Sequence, residues 1–210
     1  FRSEENVGDL FEAFDVVLAG DKEVLQVAGI KDERRLKEVD ELVERYIRSE
    51  GARPSCLGYG GFPASACVSV NEEVVHGIPG DRILRDGDIV TVDTVAYKNG
   101  YHGDACRTFC IGNVAPEVKQ LVKVTEECFF KGIEGLKACT PLFDIGYRVQ
   151  KHAESFGYGV IRSYTGHAIG KEMHEDPSVP NFGKLGTGMR LKEGMVLCIE
   201  PMIALGSWRV

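Results

Sequence analysis

The dipeptide Asn99-Gly100 constrains this chain more than any other feature of it. Asn-Gly between two runs of alternating apolar and polar residues is the strongest short hairpin signal, because both central positions of the favoured turn need positive φ. It predicts two extended runs, Ile89 to Tyr97 and Tyr101 to Ile111. A two-residue turn sets Lys98 opposite Tyr101, and therefore Asp93 opposite Cys106. Side chains alternate faces along a strand, so Asp93 and Asp104 share one face, a diagonal step apart, while Val90, Val92 and Ala96 take the other and pack on helices. Two inward-facing carboxylates repel unless a proton or cation lies between them, which points to a metal site. The alternative is a surface hairpin with two solvated acids.

The rest of the chain is large enough to surround such a site. Its 210 residues can bury one sizeable core or two small ones. The formal charge of −7 argues against specific nucleic-acid binding. No apolar run reaches membrane-spanning length, and FRSEENVGDL lacks the basic-then-apolar order of a signal peptide, so the expectation is a cytosolic protein with no membrane partner. Seven cysteines (56, 67, 106, 110, 128, 139, 198), without a CxxC pair, favour reduced thiols over a disulfide framework or zinc ribbon. The first residue is Phe rather than Met, which points to trimming.

Along the chain, Leu10 to Leu18 recur at helical spacing and a second apolar patch runs from Val24 to Ile30. Lys31 to Glu50 predicts an amphipathic helix with Leu36, Val39, Leu42, Val43, Tyr46 and Ile47 as its apolar stripe and Gly51 as its stop. Residues 53–75 mix glycines, aromatics and cysteines ahead of an alternating strand, as expected where backbone approaches a ligand. Here Cys56, Tyr59, Phe62 and Cys67 either line an apolar pocket or pack in the core. After the hairpin, Pro116 opens a helix to about Lys137 with Val118, Leu121, Val122, Cys128, Phe129, Ile133 and Leu136 inward. Thr140-Pro141 caps and opens the next helix, ending near Gly157. In SYTGHAIGKEMHEDP, the glycines at 166 and 170 and Pro177 argue for strand or loop, aiming His167 and His174 into a cavity. MRLKEGMVLCIEPMI then echoes the earlier order: an LKEG turn like LRDG, and an apolar strand with one acid, Glu200, as Asp93 is in the first half. The echo suggests a duplicated α+β domain with a curved sheet and a site at its pseudo-twofold centre.

HGIPGD, DGDIVTVDTVAY, GYHGDACRTF, TGHAIGKEMHEDP and GMVLCIEPM, in this order and spacing, resemble the type I methionine aminopeptidases of peptidase family M24. The resemblance runs from about Gly51 to Ala204 and implies the α+β pita-bread fold, a curved antiparallel sheet backed by helices. It assigns 1–35 to a divergent N-terminal segment and 36–210 to the metallopeptidase domain. It makes Asp93, Asp104, His167 and Glu200 metal ligands, with Asp104 bridging two ions, and His76, His174 and Glu200 catalytic. The methionine pocket would be Cys56, Tyr59, Phe62, Cys67, His76 and Met173. Three carboxylates and one imidazole suit Co, Mn, Fe or Zn. The implied reaction is removal of the N-terminal methionine of nascent proteins by a dimetal-activated hydroxide, in a monomer whose partners are Met-peptides and, within the same resemblance, the ribosome.

Departures from the family pattern shape further expectations. Met173 stands where the family has an aromatic pocket residue, and HAIG replaces HGIG. The family's second bridging glutamate lies downstream of the IEP motif, beyond Val210, so the second metal position keeps only Asp93 and Asp104. Weak or single-metal binding and low turnover are expected of the 210-residue chain. The alternative functions are a non-catalytic pita-bread protein binding peptides or partners, and a proline-specific peptidase of the same fold.

Overall fold

The structure is a computed structural model and describes residues 34–210. The apolar segments expected between Leu10 and Ile30 lie outside the described residues. Two compact units are present: one runs to Ala115 and takes in Gly170–Met173, and the other comprises Pro116–Ile169 and His174–Val210.

In the first unit, helix α1 (Leu36–Ser49) buries Leu36, Val39, Val43 and Ile47, the expected stripe, with Leu42 and Tyr46 partly covered beside it. Gly51 follows its end at φ +71°, where a residue without Cβ is favoured. Its start has no side-chain cap. The orphan donors of the first turn instead find backbone carbonyls at the end of the HGIPGD loop and just after it: Lys37 N–H donates to Gly80 O and Leu36 N–H to Arg82 O, both at 3.0 Å. Asp81 adds ion pairs to Arg35 (3.2 Å) and Lys37 (2.6 Å).

Strand β1 (Arg53–Pro54), β2 (Ala66–Val70), β3 (Ile89–Lys98) and β4 (Tyr101–Cys110) form an antiparallel sheet around β3. The β3–β4 register is the expected one, with Lys98 opposite Tyr101 and Asp93 opposite Cys106, and Asn99 and Gly100 both at positive φ. Because β4 covers one edge of β3 along its whole length, β1 and β2 lie end to end on the other edge, opposite Ala96–Tyr97 and Val90–Thr94. Residues 55–65 are thus an excursion from a single strand edge. Ala66, Val68, Val70, Val90, Val92, Ala96 and Phe109 pack with α1 in one core. Every residue of β2 is buried, although an alternating strand exposed on one face was expected.

The second unit pairs helix α2 (Pro116–Ile133) with α3 (Phe143–Ser155). Pro116 opens α2 as expected, but the helix ends at Ile133 rather than near Lys137. Its buried seam is Val124, Cys128 and Gly132. Phe129, expected inward, is exposed, being about 100° round the helix from Cys128. Small residues make this seam because the helices approach closely: a Cβ on Gly132 would come within 3.1 Å of Val149 Cγ2. Thr140 does not cap α3, whose first-turn boundary is Leu142. Residues 139–142 pair with 189–191 instead, through Cys139 N–H to Leu191 O, Leu191 N–H to Thr140 O and Leu142 N–H to Met189 O, so strand-like pairing overrides the local cap signal.

Short strands complete this unit: β5 (Gly159–Val160) with β8 (Ile203–Ala204), and β6 (Gly166–Ala168) with β7 (Glu175–Val179). The expected apolar strand leading to Glu200 is not regular strand: its backbone pairs with β6 through Cys198 and His167, and Pro201 lacks a donor to continue the ladder. Among the described residues no helix is long and apolar enough to cross a membrane, and no disulfide joins the seven cysteines.

Candidate metal centre

In the first unit the hairpin carries the paired acids as its turn dictates. Asp104 is opposite Val95 and Asp93 opposite Cys106, so both half-buried carboxylates occupy one face of the ribbon. The opposite face is the apolar core with Val90, Val92 and Ala96. His102 shares the acids' face two residues before Asp104. Its Nδ1 hydrogen-bonds Ser55 Oγ at 2.9 Å, its ring leans on Tyr97 at 4.8 Å, and its N–H donates to Gly170 O at 2.8 Å. Sequence reasoning passed over His102, although its parity with Asp104 was the available signal.

The excursion 55–65 is held at both ends. Ser55 N–H donates to Val95 O at 2.8 Å. At the far end, Asp40 Oδ1 accepts from Ser65 N–H (2.9 Å) and Ala66 N–H (2.8 Å), while Ser65 Oγ donates to Glu44 Oε2 (3.0 Å). Burial pushes the Asp40 carboxyl above its ordinary value; the two N–H donors oppose this, and the charges of Glu44 and Glu41 add to it. Cys56 and Cys67 are both buried. The neighbouring Cys56 thiol, then burial, then the charge of Asp93 push the Cys67 thiol up, so it stays protonated and uncharged. Tyr59 sits exposed on a short 3-10 turn, Phe62 is half-buried, and Met173 is buried.

His76 is exposed at the edge of β2. The next residue, Gly77, accepts from Val68 N–H at 2.9 Å and donates to Ser69 Oγ at 3.0 Å. A Cβ there would be 2.2 Å from Val68 O, so only glycine lets the HGIPGD segment lie this close.

In the second unit, His167 on β6 directs Nδ1 to Ala168 O at 3.0 Å. A carbonyl only accepts, so Nδ1 carries the proton and Nε2 faces Glu200 Oε1 at 3.3 Å. Two acceptors this close call for a proton or cation between them. His174 stacks obliquely on His167, with ring centroids 4.3 Å apart. Ligand atoms of His167, Cys198 and Glu200 lie within 4.8 Å of one another. This nitrogen, sulfur and oxygen set, with one imidazole already oriented by a carbonyl, fits a divalent transition ion. Of the predicted residues, this unit brings His167, His174 and Glu200 together.

Asn181 was not foreseen. It is 1% exposed, and its Nδ2 donates to the backbone carbonyl of Glu200 at 2.6 Å. Its Oδ1 is buried without a partner. No local pattern in the sequence joins positions 181 and 200.

These geometries coincide with a known class. The model of metallopeptidase family M24 matches residues 12–210, and the chain belongs to that family. It is 55% identical over 174 residues to a methionine aminopeptidase of Clostridium acetobutylicum, covering 82% of this chain and 70% of that one. It is 49% identical over 171 residues to methionine aminopeptidase 1 of Bacillus subtilis, covering 81% and 69%. The crystal structure of a methionine aminopeptidase from Thermotoga maritima superposes with a TM-score of 0.95 at 40% identity, covering all of this chain and 84% of that one. The fold is therefore the α+β pita-bread fold, and the resemblance drawn from the motifs is borne out.

Proposed function

We propose that this metallopeptidase removes the N-terminal methionine of peptides and nascent proteins, and that Asp93, Asp104, His167 and Glu200 would hold its metal. The observation that carries this reading is the His167–Glu200 pair, a ring nitrogen facing a carboxylate oxygen at 3.3 Å beside a third donor. The shared face of Asp93 and Asp104 supports it.

When bound, the divalent ions (Co, Mn, Fe or Zn) would polarise the first peptide carbonyl and lower the pKa of water. The remaining chemistry belongs to the chain. Glu200 takes a proton from the attacking water and delivers it toward the leaving amine. His174, steadied against His167, donates a hydrogen bond to the oxygen that gains charge in the transition state. His76, fixed by Gly77 against β2, contacts the scissile nitrogen. Cys56, Tyr59, Phe62, Cys67 and Met173 offer the methionine side chain an apolar wall. Thiol sulfur in that wall suits a thioether by shape and dispersion, and a tight pocket favours a small second residue. N-terminal methionine marks newly made chains, so the reading extends to a monomer acting in the cytoplasm on such chains, including those still at the ribosome.

The test pairs metal titration with a comparison of Met-Ala and Ala-Pro peptides. Binding of a single divalent ion, with slow release of methionine alone, is expected. Release of alanine from Ala-Pro in preference would replace this reading with a proline-specific peptidase, and absence of bound metal would replace it with a peptide-binding protein.

A further inference from the structure

The ligand set implied by the motifs contains only oxygen and nitrogen, yet sulfur stands among the donors of the second unit. Cys198 and His167 exchange both backbone hydrogen bonds, Cys198 N–H to His167 O at 2.7 Å and His167 N–H to Cys198 O at 3.2 Å. Residues that exchange both bonds are directly opposed across an antiparallel pair, with side chains on the same face. Glu200 follows two residues later and shares that face by the period of an extended chain. Gly166 makes the approach possible, since a Cβ there would be 2.1 Å from Cys198 O. Register alone therefore delivers the Cys198 sulfur to the imidazole and carboxylate, and the ligand atoms lie within 4.8 Å of one another.

We infer that Cys198 is a further metal ligand, binding through sulfur a thiophilic divalent cation held with His167 and Glu200. The inference rests on the metallopeptidase reading above and adds to it a choice of metal. As the sulfur–metal bond forms, the thiol proton passes to solvent. A thiolate in the set favours zinc, cobalt or ferrous iron over manganese, which prefers oxygen donors. A cysteine that merely packs between strands would leave metal preference untouched.

The experiment uses the whole chain loaded with cobalt(II), alongside C198A and C198T. The wild-type protein should show cobalt d–d bands and a near-ultraviolet sulfur-to-cobalt charge-transfer band. Both variants should keep the d–d bands and lose the charge-transfer band. In competition with a chromophoric chelator, zinc affinity should fall about tenfold or more in both variants, while manganese affinity changes little. Stoichiometric cobalt without the charge-transfer band in the wild-type protein, or equal zinc affinity in all three, would overturn the inference and leave the metallopeptidase reading standing. Absence of any cobalt or zinc binding by the wild-type chain would overturn both.

Discussion

Asn181 holds Glu200 by its main chain: the buried amide donates a 2.6 Å hydrogen bond to the glutamate's carbonyl. A side chain here supplies the donor that a neighbouring strand's N–H would otherwise supply. N181A should leave that carbonyl without this donor and cost about 1–3 kcal/mol in denaturant unfolding. N181D replaces the donor with an acceptor facing the carbonyl and should be the more damaging of the two. In both, zinc affinity should fall along with stability; a stability loss with unchanged affinity would confine Asn181 to the fold.

Asp40 is a test of pH dependence. Its carboxyl is raised mainly by burial, so the folded chain binds this proton more tightly than the unfolded chain. Stability from this group is therefore fullest in acid and falls as pH rises from the ordinary carboxylate range through the raised value, then levels off. D40N keeps an acceptor for Ser65 and Ala66 and removes the charge. Its urea midpoint should match or exceed that of the wild-type protein at neutral pH, and this segment of the pH curve should flatten. D40A leaves two buried N–H groups without that acceptor, at about 1–3 kcal/mol each, and should loosen the 55–65 excursion, raising KM for methionyl peptides more than it lowers kcat.

Gly77 answers to sterics alone. G77A forces a Cβ to within 2.2 Å of Val68 O, and relief requires the HGIPGD segment to lift from β2. The expected cost is about 1–3 kcal/mol. Because the same segment carries His76, kcat should fall with methionine-peptide binding largely retained, as stopped-flow and steady-state assays would show.

Metal removal should register in thermal stability. A ligand present at a hundred times its Kd adds about 2.7 kcal/mol, and a domain of this size shifts by about 2–4 °C per kcal/mol. Treatment with a chelator should lower Tm, and re-addition of zinc should restore it. In H167A, which removes the oriented imidazole, the chelator should change Tm little.

What the chain's sequence made legible follows from how local each determinant is. The pairing of Asp93 with Cys106 is fixed by two residues, Asn99 and Gly100, whose positive φ selects one turn and hence one register. His167 and Glu200 stood out because imidazole and carboxylate sit in glycine- and proline-bounded segments. Phe129 was misassigned because bulk suggested burial, whereas the α2–α3 seam selects small Cys128 and Gly132. Thr140 looked like a cap but is engaged by Lys137 N–H and by strand-like pairing with residue 191. Asn181 and Asp40 were silent because each acts on backbone 19 to 26 positions away, a relation no short window contains.

The departure of the chain from the β3 edge after Pro54 and its return at Ala66 has an evolutionary consequence. The segment that would meet the substrate's side chain is spliced into a strand edge whose two docking points stay put while its interior can lengthen or change. Selectivity can drift in such an arrangement without disturbing the neighbouring strand that bears Asp93, so new substrate preferences are open to a lineage that keeps its hydrolytic chemistry intact.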